Sequence, residues 1–394
     1  MKKRKVIATI LAASMLVGLL ASCGGGGDAT ESPAGGESTP PAEETTGGEE
    51  PSGDTTDWAN FTIDPAQIPQ EKLDTTLHLA VSVRGLENPY IATINDGMHL
   101  FAEYLDSIGQ KYEMQVLDSQ GDSAKEVDNM RQFAAMANGN AIAYADPNED
   151  TIAYSLAEAM AESGGYLGTA WNKPADVGPA DLTPNWVIHT SPDNVVNGYN
   201  IAKALFDSMG GSGQIFVVEG LLGNTANNDR VAGLEQALAE YPDIEVVAQD
   251  TGNWNTDEAL TLVETWLTQF PDVGGIWCAN DNMVTGAMQA LDAASLLGQV
   301  GVCGVDANTD VVEAIANGNA TATVSSNGYL QGGYTLAICY AAWTGLLDVE
   351  ALPAEYREFA TPTVLIDSPE AAQEWQNYVP DFDFSRPFDC RVAE

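Results

Sequence analysis

From residue 77 onward, short runs that are apolar at nearly every position alternate with stretches in which apolar residues recur every three or four positions. The first kind predicts strands over 77–83, 114–118, 141–145, 166–170 and 187–190, then over 214–219, 245–249, 275–279, 301–305 and 321–325. The second kind predicts helices over 90–108, 124–137, 194–209, 228–240, 256–269, 283–296 and 311–317. Ser123, Asp193 and Asp281 are suited to cap helix N-termini, because their side-chain oxygens can take a free amide of the first turn. Asn138-Gly139, Met209-Gly210-Gly211 and Asn317-Gly318 are suited to end helices. Strands without a polar face, interleaved with helices, imply parallel sheets covered on both sides. Ten strands are many for one open sheet with short connections. The expected fold is therefore α/β, with two doubly wound, Rossmann-like parallel-sheet domains.

The first 57 residues follow neither pattern. Lys2, Lys3, Arg4 and Lys5 precede an apolar stretch over 6–20 that is short for a permanent membrane span. Leu20-Ala21-Ser22-Cys23 closes it, which predicts an export signal over 1–23 with Cys23 as the lipidated residue of a lipobox. Residues 24–57 are rich in Gly, Ser, Thr and Pro, with nine acidic residues and no basic one. Such a segment has too little apolar surface to offset chain entropy, and a disordered, extended tether is expected. The protein is expected outside the cytoplasm, held by its lipid at the outer face of the cytoplasmic membrane, or on the periplasmic side in a diderm.

Charge narrows the function. The chain carries 57 Asp and Glu against 15 Lys and Arg, a formal net charge of −42. A nucleic-acid partner, which needs a basic footprint, is excluded. Docking on anionic lipid through a basic patch is disfavoured. Cys278, Cys303, Cys339 and Cys390 have no metal-site spacing and read as small buried hydrophobes. His78, His99 and His189 stand far apart. The segment Asp146-Pro147-Asn148-Glu149-Asp150 begins like a calcium loop but has Thr151 and Ala157 where Gly and Glu are required. No phosphate-binding GxxxxGK[ST] loop and no GxSxG elbow occurs. No cofactor or metal is expected.

The residues just after the strands are the informative ones, because open α/β sheets bind ligands at the carboxyl ends of their strands. They run Arg84 to Tyr90, Asp146 to Asp150, and Trp171 to Pro174 in the first half. In the second half they are Asn224 to Arg230, Asn253-Trp254-Asn255, Asn280-Asp281 and Asp306. Amides, carboxylates and a guanidinium can each bond two adjacent hydroxyls, and flat rings can cover the C–H face of a sugar or polyol.

Several of these segments carry a family resemblance. They are Asn88-Pro89-Tyr90, Val116-Leu117-Asp118-Ser119-Gln120, Asp193-Asn194, Arg230-Val231-Ala232-Gly233-Leu234, Ala279-Asn280-Asp281 with Met283, and Val305-Asp306. In this order and spacing the chain resembles the periplasmic ribose-binding protein family, the type I solute-binding proteins of ABC importers, over about residues 77–360. The resemblance implies two domains, 77–190 with 327–358 and 191–326 with 362–394. They would be joined by a hinge crossed near Thr190-Ser191, Ser325-Ser326 and Ala360-Thr361. It implies ligand contacts from Asn88, Tyr90, Arg230, Trp254, Asn280 and Asp306. Two positions depart. Ala170-Trp171 followed by Asn172 stands where the family carries a sugar-gripping Asp-Arg pair, and Ser326, with Gln331 nearby, stands where it carries an amide. The expected site is thus more aromatic and less charged on its N-terminal side.

The function implied is a monomeric, lipid-anchored receptor that closes on a sugar or polyol and delivers it to an ABC permease, without catalysis. A ligand-sensing receptor for a kinase or chemoreceptor is the alternative, and a secreted carbohydrate-active enzyme a lesser one. Export and the missing basic helix-turn-helix exclude a repressor of the related LacI class.

Overall fold

The computed structural model describes residues 56–392. The expected export signal, Cys23 and the tether up to residue 55 lie outside the described residues. The first sheet holds β1 (Leu77–Val83), β2 (Tyr112–Asp118), β3 (Ala141–Ala145), β4 (Tyr166–Ala170) and β5 (Trp186–Ser191). They lie in the order β5-β4-β3-β1-β2, with every neighbouring pair parallel. The second sheet holds β6 (Ser212–Glu219), β7 (Asp243–Thr251), β8 (Gly275–Cys278) and β9 (Gly301–Cys303), in the parallel order β7-β6-β8-β9. Beyond β9, Cys303 bridges to Ala322, next to β10 (Thr323–Ser325). The two sheets wind alike, so each has a switch point beside its first strand.

Period-two burial separates two cores in the first lobe. Leu77, Leu79, Val81 and Val83 of β1 join Ile142 and Tyr144 of β3 on one face. Ala80 joins Ala141, Ala143 and Ala145 on the other. Ile215, Phe216, Val217, Ile276 and Trp277 centre the core of the second lobe.

Helices fill the expected intervals. They include α2 (Pro89–Ile108), α3 (Ser123–Ala137), α5 (Asn194–Ser208) and α6 (Thr225–Glu240), preceded by the short α1 (Gln70–Asp74) and, before α5, by α4 (Ala153–Glu162). α7 (Thr256–Gln269), α8 (Asp281–Ala293) and α9 (Thr309–Ala316) cover the second sheet. Two caps shift by one residue from expectation. Asp122, not Ser123, accepts the Lys125 amide at 3.0 Å, and Asn280, not Asp281, accepts the Met283 amide at 3.2 Å. In each case the residue before the expected cap carries an oxygen of the right reach and sits in extended backbone.

α10 (Gly328–Thr344) had no amphipathic signature, because sixteen of its seventeen residues are buried. It packs against α2 and against β3, β4 and β5 of the first sheet. After α11 (Ala354–Arg357), β11 (Glu358–Ala360) adds to the first sheet parallel to β5. β12 (Val364–Ile366) then pairs antiparallel with β10, and α12 (Pro369–Gln376) packs on α9 in the second lobe.

The end of the chain corrects the expectation that residues 362–394 stay with the second domain. Phe384 packs on Phe101 and Tyr334 at centroid distances of 5.6 and 5.1 Å, and Phe388 and Cys390 join the same first-lobe core. The Val392 amide donates to the Ala360 carbonyl at 3.0 Å. A fourth crossing of the chain therefore follows α12. Burial of two phenylalanines and a cysteine drives it, at about 1.5–3 kcal/mol for each large apolar side chain. All four described cysteines are buried and free of disulfides.

Candidate functional site

The loops at the carboxyl ends of both sheets face each other across a cavity of about 330 Å³. That volume lies near the lower end of the roughly 300–1,000 Å³ of small-molecule sites. From the first lobe, Arg84 to Tyr90 follow β1, Asp146 follows β3, and Trp171 and Asn172 follow β4. From the second, Asn224, Ala226 and Arg230 follow β6, Asn253 to Asp257 follow β7, Asn280 and Asn282 follow β8, and Asp306 follows β9.

Arg230 is the electrostatic centre. It is fully enclosed on α6, where its Nε donates to Asn194 Oδ1 at 3.0 Å and a terminal nitrogen donates to the Ala279 carbonyl at 2.7 Å. α5 can approach this closely because a Cβ at Gly198 would stand 2.1 Å from the Arg230 carbonyl oxygen. One indole from each lobe flanks the guanidinium, with the Trp171 ring at 5.2 Å and the Trp254 ring at 5.7 Å. Both tryptophans have left-handed backbone, φ 66° and 63°, and Asn253 and Asp306 also have positive φ, at 52° and 130°. Such conformations cost energy in non-glycine residues and concentrate at functional sites. Trp254 lies over Gly220, where a Cβ would come within 2.2 Å of the ring.

Two carboxylates answer the charge. Asp306 accepts from Asn280 Nδ2 at 3.4 Å, and burial pushes its carboxyl up to about 7 against the opposing pull of Arg230. Asp146 accepts from Asn172 Nδ2 at 3.2 Å, and burial pushes it to about 6 against Arg84. Asp281 lies behind the wall, fully buried, where it accepts from the Asn308 amide at 2.8 Å and the Thr323 hydroxyl at 2.9 Å. Burial raises its carboxyl too, and its role is to hold the loop that carries Asp306.

Eight of the ten expected ligand residues line this cavity: Asn88, Tyr90, Trp171, Asn172, Arg230, Trp254, Asn280 and Asp306. Asn88 has a second duty, since its Oδ1 accepts the Tyr90 amide at 2.9 Å and caps α2. Tyr90 offers its ring rather than its hydroxyl. The hydroxyl donates to Gln331 Oε1 at 2.7 Å, and the ring meets Trp171 edge-on at 5.7 Å.

The other two expected residues, Ser326 and Gln331, are not among the residues that line this cavity. Both are buried, Ser326 just before α10 and Gln331 in its first turn, where Gln331 accepts from the Tyr90 hydroxyl. Asp146 and Arg84 are lining residues outside the expected set. Their signal was available, because both directly follow a strand at its carboxyl end.

Behind Asp146 a buried network fixes its loop. Glu126 accepts from the Ser82 hydroxyl at 3.2 Å and the Asn148 amide at 3.0 Å, and Asn148 Nδ2 donates to the Ser119 hydroxyl at 2.9 Å. Burial pushes Glu126 up to about 8.

The arrangement suits a neutral, hydroxylated molecule. Two guanidiniums, Arg84 and Arg230, stand among four carboxylates, Glu87, Asp146, Asp257 and Asp306, amides supply donors and acceptors together, and three aromatic rings form the walls. No His, Cys, Ser or Lys is among the described lining residues.

Comparison with known proteins agrees with this geometry. The sequence pattern of the periplasmic binding protein domain matches residues 79–346. The chain is 34% identical over 193 residues to the xylitol-binding protein of Mycolicibacterium smegmatis, a match that covers 49% of this chain and 54% of that protein. It is 29% identical over 257 residues to the ribose import binding protein of Haemophilus influenzae, covering 64% of this chain and 81% of the relative. Among solved structures, a twin-arginine translocation pathway signal protein from Burkholderia phytofirmans superposes with a TM-score of 0.75 at 31% identity, over 81% of this chain and 99% of that one. With a family pattern that spans residues 79–346, most of both lobes, the chain belongs to the periplasmic binding protein family.

Proposed function

We propose that the protein is the solute-binding subunit of an ABC importer and that it captures a neutral sugar or polyol between its two lobes. The single observation that carries this reading is the cavity in which two indoles flank the Arg230 guanidinium, with Asp306, Asp146 and Asn280 around it. Relatives named for xylitol and ribose binding support the same ligand class. In this reading Trp254 covers an apolar face of the ligand. Asp306, Asn280 and Arg230 bond its hydroxyls from the second lobe, while Asn88, Tyr90, Trp171 and Asn172 close from the first. Closure about the crossing strands excludes water, which strengthens each hydrogen bond, and the closed shape reports occupancy to the permease.

The same proposal places the protein outside the cytoplasm as a monomer, lipid-anchored through Cys23, with residues 24–57 as the tether. It assigns no catalysis. The functional test is to incubate the protein with a mixture of pentoses, hexoses and polyols, remove unbound solute, denature, and identify what is released. One compound recovered chemically unchanged at one per chain is the expected result. Release of a converted product, or of nothing, would overturn the reading.

A further inference from the structure

Outside the cavity the two lobes are joined by a second set of contacts, on the first turn of α6. The opening amides of a helix have no partner within the helix. α6 caps part of this need itself, since Asn224 Oδ1 accepts the Asn227 amide at 3.3 Å. The first lobe supplies the rest. Asp150 Oδ1 accepts the Thr225 amide at 3.1 Å, and its Oδ2 accepts the Thr225 hydroxyl at 2.6 Å. The Lys173 carbonyl stands 3.4 Å from the same hydroxyl, and Asn172 Oδ1 accepts the Ala226 amide at 3.5 Å. Asp150, Lys173 and Thr225 are not among the residues that line the cavity. A carboxylate at the N-terminal end of a sixteen-residue helix also meets the positive end of its dipole. The network around Glu126 and Asn148 fixes the loop that carries Asp150.

We propose that Asp150 is a positioning residue for ligand capture. It latches the first lobe onto the N-terminus of α6 and raises the closed population of the protein before any ligand arrives. Apparent affinity scales with the fraction of protein in the binding-competent form. A latch that touches no ligand atom therefore multiplies the affinity for every ligand by one factor and leaves specificity unchanged. Charge-assisted bonds at a half-exposed site set that factor at roughly 5- to 30-fold.

The affinity arm of the test rests on the sugar or polyol reading above, and the scattering arm does not. In Asp150→Ala, small-angle scattering of the ligand-free protein should show a larger radius of gyration than the parent. Thr225→Val keeps its amide bond to Asp150 and should fall between the two. Calorimetry with a series of sugars and polyols that bind the parent should show affinities reduced by one common factor of about tenfold. The loss should come through faster dissociation. In Asp150→Ala/Thr225→Ala the two losses should fall short of additive. The melting temperature of ligand-free Asp150→Ala serves as the folding control and should stay within a few degrees of the parent.

An unchanged radius of gyration in ligand-free Asp150→Ala would overturn the proposal, whether or not any sugar binds. Losses that differ among ligands would also overturn it, because they would put Asp150 in contact with the ligand.

Discussion

Asp306 is the residue whose removal most directly weighs the polar half of the cavity. The Arg230 guanidinium already spends two of its donors on Asn194 and Ala279, so its remaining N–H groups face Asp306, Asp146 and whatever fills the space between. Deleting the Asp306 carboxylate removes an acceptor for ligand hydroxyls and leaves the buried guanidinium with Asp146 as its cavity-side countercharge. A hydrogen bond to a charged group is worth about 1.5–3 kcal/mol, and truncating one partner of a buried charged pair costs about 2–5 kcal/mol. At about 1.4 kcal/mol per decade, Asp306→Ala should weaken binding by roughly 30- to 4,000-fold. Ala is strained at a φ of 130°, so Asp306→Asn, which keeps the shape and one acceptor, is the cleaner variant. It should lose roughly 10- to 100-fold.

The pH dependence gives a second reading of the same residue. Burial raises the carboxyl to about 7, so the folded protein holds a proton there between about 4 and 7 that the unfolded chain releases. The contribution of Asp306 to stability therefore falls as pH rises through that window, and Asp306→Asn should flatten this part of the curve. Ligand hydroxyls that donate to the carboxylate favour its charged form, so affinity should rise between pH 6 and 8 in the parent and not in Asp306→Asn. Isothermal calorimetry at three pH values, beside urea unfolding of the same samples, measures both. Parent-like affinity in both variants would refute the placement of the ligand beside Arg230.

Trp254→Ala should weaken binding by about 2 kcal/mol, roughly 30-fold, with the ligand-free melting temperature almost unchanged, as read by calorimetry and thermal unfolding. Gly220→Ala places a Cβ within 2.2 Å of the Trp254 ring and should cost about tenfold in affinity by displacing it, measured the same way. Glu126, pushed up to about 8 by burial, holds a proton in the folded state between about 4.5 and 8, so its contribution to stability declines as pH rises across that range. Glu126→Gln should remove that part of the decline and leave stability near pH 4.5 unchanged, by urea unfolding across the range.

Much of this was legible in the residues. The runs at 77–83, 141–145 and 166–170 coincide with β1, β3 and β4, because strands buried on both faces leave no polar position to blur the pattern. The rule that places ligands beyond the carboxyl ends of strands gathered eight of the ten expected residues around one cavity. It applies equally to Asp146, which directly follows β3.

Other features were not local. α10 is buried on all sides, so a helical stripe of polar residues, the usual sign, is absent. Ser326 precedes that helix and Gln331 lies in its first turn, and only the packing of Tyr90 decides that Gln331 meets a phenol. The return of Phe384 to the first lobe depends on Phe101 of α2 and Tyr334 of α10, and that of Phe388 on Phe61, Tyr356 and Phe359, none of which a window of sequence around residue 384 contains.

The most direct measurement is a thermal-unfolding screen of the full protein against neutral sugars and polyols, with amino acids, organic acids and nucleosides as the contrast. Ligand at a thousandfold excess over its Kd stabilises the native state by about 4 kcal/mol, several degrees in melting temperature. The account predicts such a rise with one or a few neutral polyhydroxy compounds, cut to about half in Trp254→Ala and to half or less in Asp306→Ala. A rise produced by a charged solute instead, or one that is undiminished in both variants, would contradict it.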